Sequence, residues 1–435
     1  MRYDPQIFGI HEGIDKEKYI IAHYYVQTET EDVLLRSASI AVEQSTGTWT
    51  PVPEETKEIR EAHLARVIGV HEVPDYQEMI PKDVKTRRFF VQIAFPAENI
   101  NGQIPELLTT LYGNISMAGK IRLLDVILPK SFVRNFKGPK FGIEGVRRLL
   151  DIKDRPIICG MFKPCIGAPP KTLGKLFYEM ALGGIDIIKD DELLADPKVS
   201  PVDARLEECL KAADKAFRET GRKVLYAINI TDSPKAMYEK AIKAKRAGAN
   251  CLMVNTYTVG FGALADLAED PEIDIPLMTH PAMAGNFFLS PDYGISSSLI
   301  LGKFPRLAGS DMIIYPSPYG KVPLVKERAV RISQELRSPF YQLKSTLPGP
   351  AAGIYPGIVP KMMDDFGADI IIGAGGGIHG HPGGARAGVT AFHQAIEAAI
   401  SGIDLKDAAT KHKELHAAIE KWGVYGDKAL YDLTR

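Results

Sequence analysis

The sequence predicts an α/β protein with two domains, a small N-terminal α+β domain of the ferredoxin-like kind and a larger (β/α)8 barrel. Two observations lead to this prediction. Up to about residue 140, strand-like and helix-like segments are mixed, and beyond residue 155 short apolar runs alternate with helical stretches. Eight such repeats over about 250 residues are typical of a closed parallel barrel. We therefore place the domains at residues 1–140 and 141–435.

The N-terminal domain is predicted from three strand-like and two helix-like segments. Residues 19–26 and 88–95 are rich in the β-branched and aromatic residues of strands, and residues 30–42 between them have a helical pattern. A second helical stretch at residues 105–112 precedes another strand-like run at residues 121–128. Strands and helices in this order indicate a small α+β domain.

The barrel is predicted from eight short runs that are continuously apolar. Strands buried on both faces have this pattern, because helices cover both sides of a parallel sheet. The intervening stretches, such as residues 236–247 and 326–336, are rich in helix-forming residues. The eight strand candidates are residues 157–162, 185–189, 225–229, 251–255, 275–279, 311–315, 342–346 and 369–373.

The composition is that of an ordinary globular protein, with 45% hydrophobic and 25% charged residues. A net charge of −1 provides no basic field for nucleic acid or an anionic membrane. We find no apolar run of membrane-spanning length and no signal-peptide pattern. The cysteines form no CxxC metal pair, and their small number favours a reducing cytoplasm. They are Cys159, Cys165, Cys209 and Cys251.

Chemically active side chains follow several predicted barrel strands. Lys163 follows the first, residues 189–192 (KDDE) the second, His280 the fifth and Lys321 the sixth, and residues 373–377 follow the eighth as a glycine-rich run. Catalytic groups of a (β/α)8 barrel lie at this rim. Taken singly, Lys163 is more typical of a solvated lysine and His280 of a structural histidine.

The KDDE segment predicts a site for a hard divalent cation, since magnesium binds one or two carboxylates and completes its shell with substrate oxygens. The alternative is an acidic surface turn that a lysine neutralises. The position after a buried strand favours the metal site.

The glycine run predicts a phosphate site. Glycines bring backbone N–H groups close to an anion, and the loops after strands seven and eight of such barrels often hold phosphate. Gly375, Gly376 and Gly377 are the candidates, together with Gly353 in the seventh loop. A flexible loop without a ligand is the alternative. For His379 and His381 beyond the run, we expect packing roles.

Six motifs occur in an order that resembles the large chain of ribulose bisphosphate carboxylase (RuBisCO). They are EQSTGTW, TTLYGN, KGPKFGIEG, FKP, GGIDIIKDDE and GGGIHGHPGGARAG, and the resemblance covers residues 18 to 425. It implies that CO₂ carbamylates Lys189 and that this carbamate holds Mg²⁺ together with Asp191 and Glu192. It also implies that Lys163 handles protons at an enolate.

The resemblance further implies a homodimer in which the small domain of a neighbouring subunit completes the active site. Glu43, Thr48, Trp49 and Asn114 match the residues that this domain contributes. Lys321 matches the lysine of the flexible loop after strand six.

Departures from the RuBisCO pattern indicate a different reaction. Cys165 replaces the second lysine of Lys-Pro-Lys, Pro281 replaces a phosphate-binding arginine, and Ala351 replaces a substrate-binding serine. Residues 315–317 stand where RuBisCO has a histidine. A bisphosphate needs cationic donors at both ends, because an uncompensated buried charge is costly. We therefore expect a monophosphate whose far end is neutral or apolar.

The motifs HPA, PSPYG and GGGxHGHP look like the RuBisCO-like proteins (type IV), and among them the 2,3-diketo-5-methylthiopentyl-1-phosphate enolases of methionine salvage. Such a function is the Mg²⁺-dependent enolisation of a phosphorylated ketone. The alternatives are an isomerase or a decarboxylase/hydrolase of another sugar-phosphate ketone, and a sugar-phosphate-binding protein without turnover. CO₂ fixation is not expected. Asn114 stands where those enolases have their general-base lysine, which leaves the Lys189 carbamate or Lys163 to take the proton.

Overall fold

A computed structural model describes residues 4, 6–29, 32–48, 50, 52–320 and 322–426. The chain divides into two compact units. The first contains Met1–Lys137 and Met283–Leu307, and the second contains Gly138–Ala282 and Ala308–Arg435. Within the described ranges, no helix is both long and apolar enough to cross a membrane.

The described residues form thirteen strands. In chain order they are β1 (Tyr19–Thr28), β2 (Arg66–Glu72), β3 (Arg87–Pro96), β4 (Ile121–Ile127), β5 (Ile157–Met161), β6 (Ile187–Lys189), β7 (Leu225–Asn229), β8 (Cys251–Val254), β9 (Leu277–Thr279), β10 (Gly294–Ile295), β11 (Met312–Pro316), β12 (Leu347–Ala351) and β13 (Ile371–Ala374).

The same residues form the following α-helices, several of them a single turn long. They are α1 (Val33–Glu43), α2 (Lys57–His63), α3 (Ile104–Tyr112), α4 (Lys130–Val133), α5 (Gly142–Leu150), α6 (Pro170–Leu182), α7 (Val202–Thr220), α8 (Pro234–Arg246), α9 (Thr256–Val259), α10 (Phe261–Glu269), α11 (Gly285–Phe288), α12 (Phe304–Leu307), α13 (Lys326–Arg337), α14 (Val359–Phe366), α15 (Gly376–His379), α16 (Gly384–Ile400), α17 (Leu405–Ala409) and α18 (Lys413–Trp422).

The first unit is built on a five-stranded mixed sheet with the order β10-β4-β1-β3-β2. The central strand β1 is antiparallel to both β3 and β4, and β2 is antiparallel to β3. With helices α1 and α3, the first four strands follow the β-α-β-β-α-β order of a ferredoxin-like domain. The fold predicted from the sequence is therefore confirmed, although β2 and the extra helix α2 were not predicted.

The boundary at residue 140 predicted from the sequence assigns residues 283–307 to the barrel, whereas the structure groups them with the first unit. The reason is pairing, since β10 adds to the edge of the first sheet as a parallel partner of β4. A two-residue strand carries no periodic signal, which is why the sequence pattern gave no indication of it.

The second unit is an eight-stranded parallel barrel with the order β12-β11-β9-β8-β7-β6-β5-β13. Its interior is filled by apolar side chains from successive strands, among them Ile187, Met253, Met278 and Ile314. The predicted (β/α)8 class is confirmed, and helices α8 and α13 cover the stretches that were predicted to be helical.

The position predicted from the sequence for the seventh barrel strand was wrong. Residues 342–346 were predicted, whereas β12 is the next segment, Leu347–Ala351. Its sequence, LPGPA, contains two prolines, which normally argue against an interior strand. The Leu347 N–H donates to the carbonyl oxygen of Asp311, and successive N–H groups of a strand point to opposite neighbours. The two proline nitrogens therefore face β13, and β12 offers no N–H donor on that side.

Candidate active site

The KDDE segment starts at the last residue of β6 and is mostly buried. The side chains of Lys189, Asp190 and Asp191 are at most 1% exposed. Lys189 Nζ donates to the carbonyl oxygen of Asp190 at 2.6 Å and lies 3.7 Å from Glu192 Oε2. A solvated acidic turn would not bury a lysine and two aspartates, so this segment is part of a built site.

Asp190 has a structural role within this segment. Its carboxylate accepts hydrogen bonds from Arg205 Nε at 3.0 Å, the Tyr226 hydroxyl at 2.7 Å and the Asn229 N–H at 2.9 Å. Burial raises the pKa of Asp190, and Arg205 opposes that rise. Arg205 is itself fully buried and also donates to the carbonyl oxygen of Ala195 at 2.7 Å. This pair therefore fixes the turn that presents the neighbouring carboxylates.

Lys163 follows β5, and its half-buried side chain reaches Asp191. The distance from Lys163 Nζ is 2.7 Å to Asp191 Oδ2 and 2.8 Å to Cys165 Sγ. Burial lowers the pKa of Lys163, but the hydrogen bonds to Asp191 and Cys165 outweigh it and leave that pKa raised. For Asp191, burial raises the pKa, but the hydrogen bonds with Lys163 and Cys165 outweigh it and leave that pKa below its ordinary value. The pair is therefore an ammonium and a carboxylate.

His280 follows β9 and belongs to the same cluster. Its Nε2 lies 3.3 Å from Glu192 Oε2, and its Nδ1 accepts the Ala282 N–H at 3.2 Å. Burial, together with the charges of Lys189 and Lys163, lowers the pKa of His280 well below its ordinary value. A neutral ring that accepts at Nδ1 carries its proton on Nε2, so His280 donates to Glu192.

Two asparagines that were not recognised in the sequence hold the main chain of the KDDE segment. Asn229 is the last residue of β7 and Asn255 follows β8, and both side-chain amides donate to the carbonyl oxygen of Glu192, at 3.2 and 2.9 Å. Both are the first strongly polar residue after a buried apolar run, which is the signal that could have identified them. Among the residues that the structure describes, Asn255 Oδ1 is buried and has no hydrogen-bond partner.

The donor set fits magnesium only if Lys189 contributes an oxygen. Among the described residues, no group of three or more His, Cys, Asp or Glu side chains is arranged to hold a metal ion. Asp191 and Glu192 supply carboxylates, whereas Lys189, whose Nζ lies 3.7 Å from Glu192 Oε2, ends in a nitrogen and has no oxygen to offer. A carbamate at that nitrogen would replace a positive charge with two oxygens and complete the oxygen-rich set that Mg²⁺ prefers.

The glycine run follows β13 and lies directly beside Lys163. A Cβ atom on Gly375 would lie 2.9 Å from Lys163 Cε, and one on Gly377 would collide with the carbonyl oxygen of Ile354. Gly376 has open space around it. The run therefore lies close both to Lys163 and to the loop after β12, and its role as a phosphate site stays a prediction.

The loop after β12 contains a strained residue. Ala352 has a φ of 74° and Gly353 a φ of 80°. Glycine adopts such angles freely, whereas alanine in the left-handed region costs about 1–2 kcal/mol. Backbone strain of this kind is concentrated at functional sites. Ala352 therefore indicates that the geometry of this loop is under a constraint other than stability.

Ala352→Gly is expected to raise the free energy of unfolding by about 0.5–1 kcal/mol, because relief of the strain exceeds the entropy that glycine adds to the unfolded chain. Urea denaturation followed by circular dichroism measures this. The matched control is Ala351→Gly at the preceding, buried strand position, which is expected to destabilise by about 1 kcal/mol or more. Destabilisation by both variants would contradict the assignment of strain to Ala352.

The site residues predicted from the sequence divide into three groups by their place in the structure. Glu43, Thr48 and Asn114 lie in the first unit, where Asn114 Nδ2 donates to Glu43 Oε1 at 3.0 Å and both side chains are exposed. Trp49 and Lys321 lie outside the described residues. The others, Lys163, Lys189, Asp191, Glu192, His280 and the glycines, all lie in the second unit.

The two histidines beyond the glycine run differ. His381 accepts the Gly383 N–H at 2.9 Å, and its Nε2 lies 2.9 Å from the carbonyl oxygen of Glu414, as expected for a packing role. Burial lowers the pKa of His379 to about 4. His379 Nε2 is buried and has no hydrogen-bond partner within the described part of the chain, so the described residues do not satisfy both ring nitrogens.

Two family models match the chain. Residues 11–132 match the N-terminal domain of the ribulose bisphosphate carboxylase large chain, and residues 142–422 match its catalytic domain. The models meet near the boundary between the two units and together span most of the chain.

Two relatives match more than nine tenths of the chain. A ribulose bisphosphate carboxylase-like protein of Archaeoglobus fulgidus is 49% identical over 413 residues, 94% of each chain. A 2,3-diketo-5-methylthiopentyl-1-phosphate enolase of Geobacillus thermodenitrificans is 40% identical over 407 residues, 93% of this chain and 98% of its own.

Solved structures show the same fold. A RuBisCO-like protein (MtnW) from Alicyclobacillus acidocaldarius superposes with a TM-score of 0.86 at 40% identity, covering 93% of this chain and 100% of its own. A dimeric archaeal RuBisCO from Hyperthermus butylicus has a TM-score of 0.85 at 31% identity, with 96% and 99% covered.

Proposed function

Because this chain belongs to the ribulose bisphosphate carboxylase large-chain family, we propose that it is an enzyme that enolises a phosphorylated ketone and does not fix CO₂. The observation that carries the proposal is the cluster at the strand ends, where Lys163 pairs with Asp191 and Lys189 lies beside Glu192 and His280. Such a cluster can orient a carbonyl compound and move a proton next to it.

Lys189 as a carbamate, Asp191 and Glu192 would hold a magnesium ion. When bound, the ion supplies Lewis acidity that polarises the substrate carbonyl. The chain's own groups prepare the site for it. Arg205 and Tyr226 hold Asp190 in the buried turn, and the amides of Asn229 and Asn255 hold the carbonyl oxygen of Glu192.

Lys163 is the residue that we propose to move the substrate proton, and it accepts that proton in its neutral form, after the ammonium that pairs with Asp191 has lost its own proton. Its side chain is only partly buried, and its Cε lies against the backbone of Gly375, beside the place proposed for the phosphate. Lys189 Nζ is fully buried and is already directed to the carbonyl oxygen of Asp190. Asn114 is an amide and cannot serve as a base.

Several enolases of methionine salvage are among the relatives, and their substrate is our first candidate, 2,3-diketo-5-methylthiopentyl 1-phosphate. Its single phosphate suits the glycine loops that contain Gly353 and Gly375. Its methylthio end is apolar, which suits a site where Cys165 and Pro281 stand in place of cationic residues.

One observation favours a second candidate. Asn114 is an amide whose Nδ2 donates to Glu43, and position 114 therefore has neither an ammonium group nor a base. An isomerase or a decarboxylase/hydrolase of another sugar-phosphate ketone would need no base there. The two candidates share the cluster around Lys163 and differ in the ketone and in the overall reaction.

We also propose that the chain works as a homodimer in which the first unit of one subunit completes the site of the other. Glu43, Thr48 and Asn114 are the described residues assigned to this role. The dimeric RuBisCO of Hyperthermus butylicus, with 96% of this chain covered, supports the proposal. Sedimentation velocity of the purified chain tests the assembly, with a dimer expected and a monomer contradicting it.

The substrate is tested by incubating the full chain, Mg²⁺ and bicarbonate with either the diketone or methylthioribulose 1-phosphate and following products by proton NMR. Formation of the enol from the diketone supports the first candidate, and turnover of the other phosphate supports the second. Lys163→Ala is expected to lower the rate by about 10²–10⁴-fold, the usual contribution of a positioned acid or base. The exposed Lys175→Ala on α6 is the matched control and is expected to leave the rate unchanged.

A further inference from the structure

A cavity of about 490 Å³ lies in the second unit, away from the carboxyl ends of its strands. Lys153 precedes β5, Ser345 precedes β12 and Asp369 precedes β13, and all three line the cavity. Residues that precede parallel strands lie at the amino-terminal rim of a barrel, opposite the catalytic rim. The cavity is therefore separate from the cluster around Lys163.

The charged side chains around the cavity are mainly cationic. They are Arg147, Arg148, Lys153, Arg337 and Lys344, against Glu144 and Asp369. The chain as a whole has a net charge of −1, so this excess is local. A concave surface lined by one sign of charge concentrates ions of the opposite sign.

Some of these cations support the fold and others do not. Arg147 pairs with Asp369 at 2.8 Å, and Arg337 donates to the carbonyl oxygen of Phe366 at 2.6 Å. Arg148 and Lys153 are exposed, and neither side chain has a hydrogen-bond or ion-pair partner among the residues that the structure describes. One guanidinium group and one ammonium group are thus available to a ligand.

The walls of the cavity are held by the main chain. The Ile143 N–H at the start of α5 donates to the carbonyl oxygen of Ser345 at 3.1 Å. Gly142, with a φ of 64°, permits this approach, since a Cβ there would lie 2.7 Å from that same oxygen. The cavity is therefore a formed feature of the barrel rather than a gap between mobile side chains.

Apolar side chains provide part of the lining. Phe141 and Ile143 are half-buried and Leu343 is buried, and all three line the cavity. Ligand sites of a few hundred Å³ commonly combine apolar walls with a few charged groups that orient the ligand. Inorganic ions would make no use of the apolar part.

We propose that this cavity binds an organic phosphate with two or more phosphoryl groups, of the nucleoside diphosphate class. Arg148 and Lys153 bind the phosphoryl groups, and Phe141, Ile143 and Leu343 contact the organic part. Guanidinium and ammonium groups make charge-assisted hydrogen bonds to phosphate, which are the stronger kind.

The test is isothermal titration calorimetry of the full chain with ADP and, separately, with pyrophosphate. ADP is expected to bind one site per chain and more tightly than pyrophosphate. The double variant Arg148→Glu/Lys153→Glu is expected to weaken ADP binding at least about tenfold, since two charge-assisted contacts are lost. The charge reversal Lys175→Glu on α6 and the active-site variant Lys163→Ala are expected to leave it unchanged.

Thermal melting of each variant confirms that the exposed substitutions leave the fold intact. Absence of saturable ADP binding, or equal ADP binding by the wild type and the double variant, would overturn the proposal. Loss of ADP binding in Lys163→Ala would instead place the ligand in the catalytic site. Equal affinities for ADP and pyrophosphate would overturn the assignment of an organic ligand.

Discussion

Replacing Lys189 with alanine is expected to slow enolisation by a factor of about 10³ or more. Lys189 is the only described side chain beside Glu192 that a carbamate could convert into a further oxygen donor. Without it, only two carboxylates remain to hold the metal, whose polarisation of the substrate carbonyl is expected to lower the barrier by several kcal/mol. The rate of enol formation with saturating Mg²⁺ and bicarbonate measures the effect.

The matched control for this variant is Lys198→Ala, an exposed lysine a few residues further along the same loop, which is expected to keep the wild-type rate. Carbamylation has its own readout, since ¹³C-bicarbonate should give a carbamate NMR signal with the wild type and Lys198→Ala but not with Lys189→Ala. A Lys189→Ala enzyme with an undiminished rate would remove Lys189 from the mechanism.

Replacing Arg205 with leucine is expected to lower the free energy of unfolding by about 3–5 kcal/mol. Arg205 and Asp190 are both fully buried, and their side chains meet at 3.0 Å. Removal of the guanidinium leaves a carboxylate without its charged partner in a site that already raises the pKa of Asp190 by burial. Breaking a buried pair on one side is costly for this reason.

Urea denaturation gives the loss, and Arg218→Leu on the exposed side of the same helix, α7, is the control, expected to change stability by no more than about 0.5 kcal/mol. Arg205→Leu combined with Asp190→Asn should recover part of the loss, because the uncompensated charge is gone. Equal stability of Arg205→Leu and the wild type would show that Asp190 does not depend on the pair.

The sequence predicted those parts of the fold that have a local signal. Buried apolar runs identified β5 and β7. Lys163, Lys189 and His280 were predicted as site residues because they follow such runs and the catalytic rim of a barrel collects strand ends. The proline-containing β12 was missed because its residues have the composition of a loop, and its strand geometry comes from its neighbours.

The supporting residues were missed because their partners are distant in the chain or carry no charge. Arg205 lies on helix α7 and contacts Asp190, which is 15 residues earlier, across a turn that no pattern specifies. Asn229 and Asn255 act through main-chain carbonyl oxygens, and amides at strand ends form no motif. Such contacts follow from the tertiary fold and not from local sequence.

The most direct test of the proposed enolisation is proton NMR of phosphorylated ketones, including the diketone, in D₂O with the full chain, Mg²⁺ and bicarbonate. The account predicts that at least one of them exchanges the proton next to its carbonyl for deuterium, and that Lys163→Ala and Lys189→Ala both stop the exchange. Tight binding of these phosphates without any exchange would contradict it and would leave a binding protein on a RuBisCO scaffold.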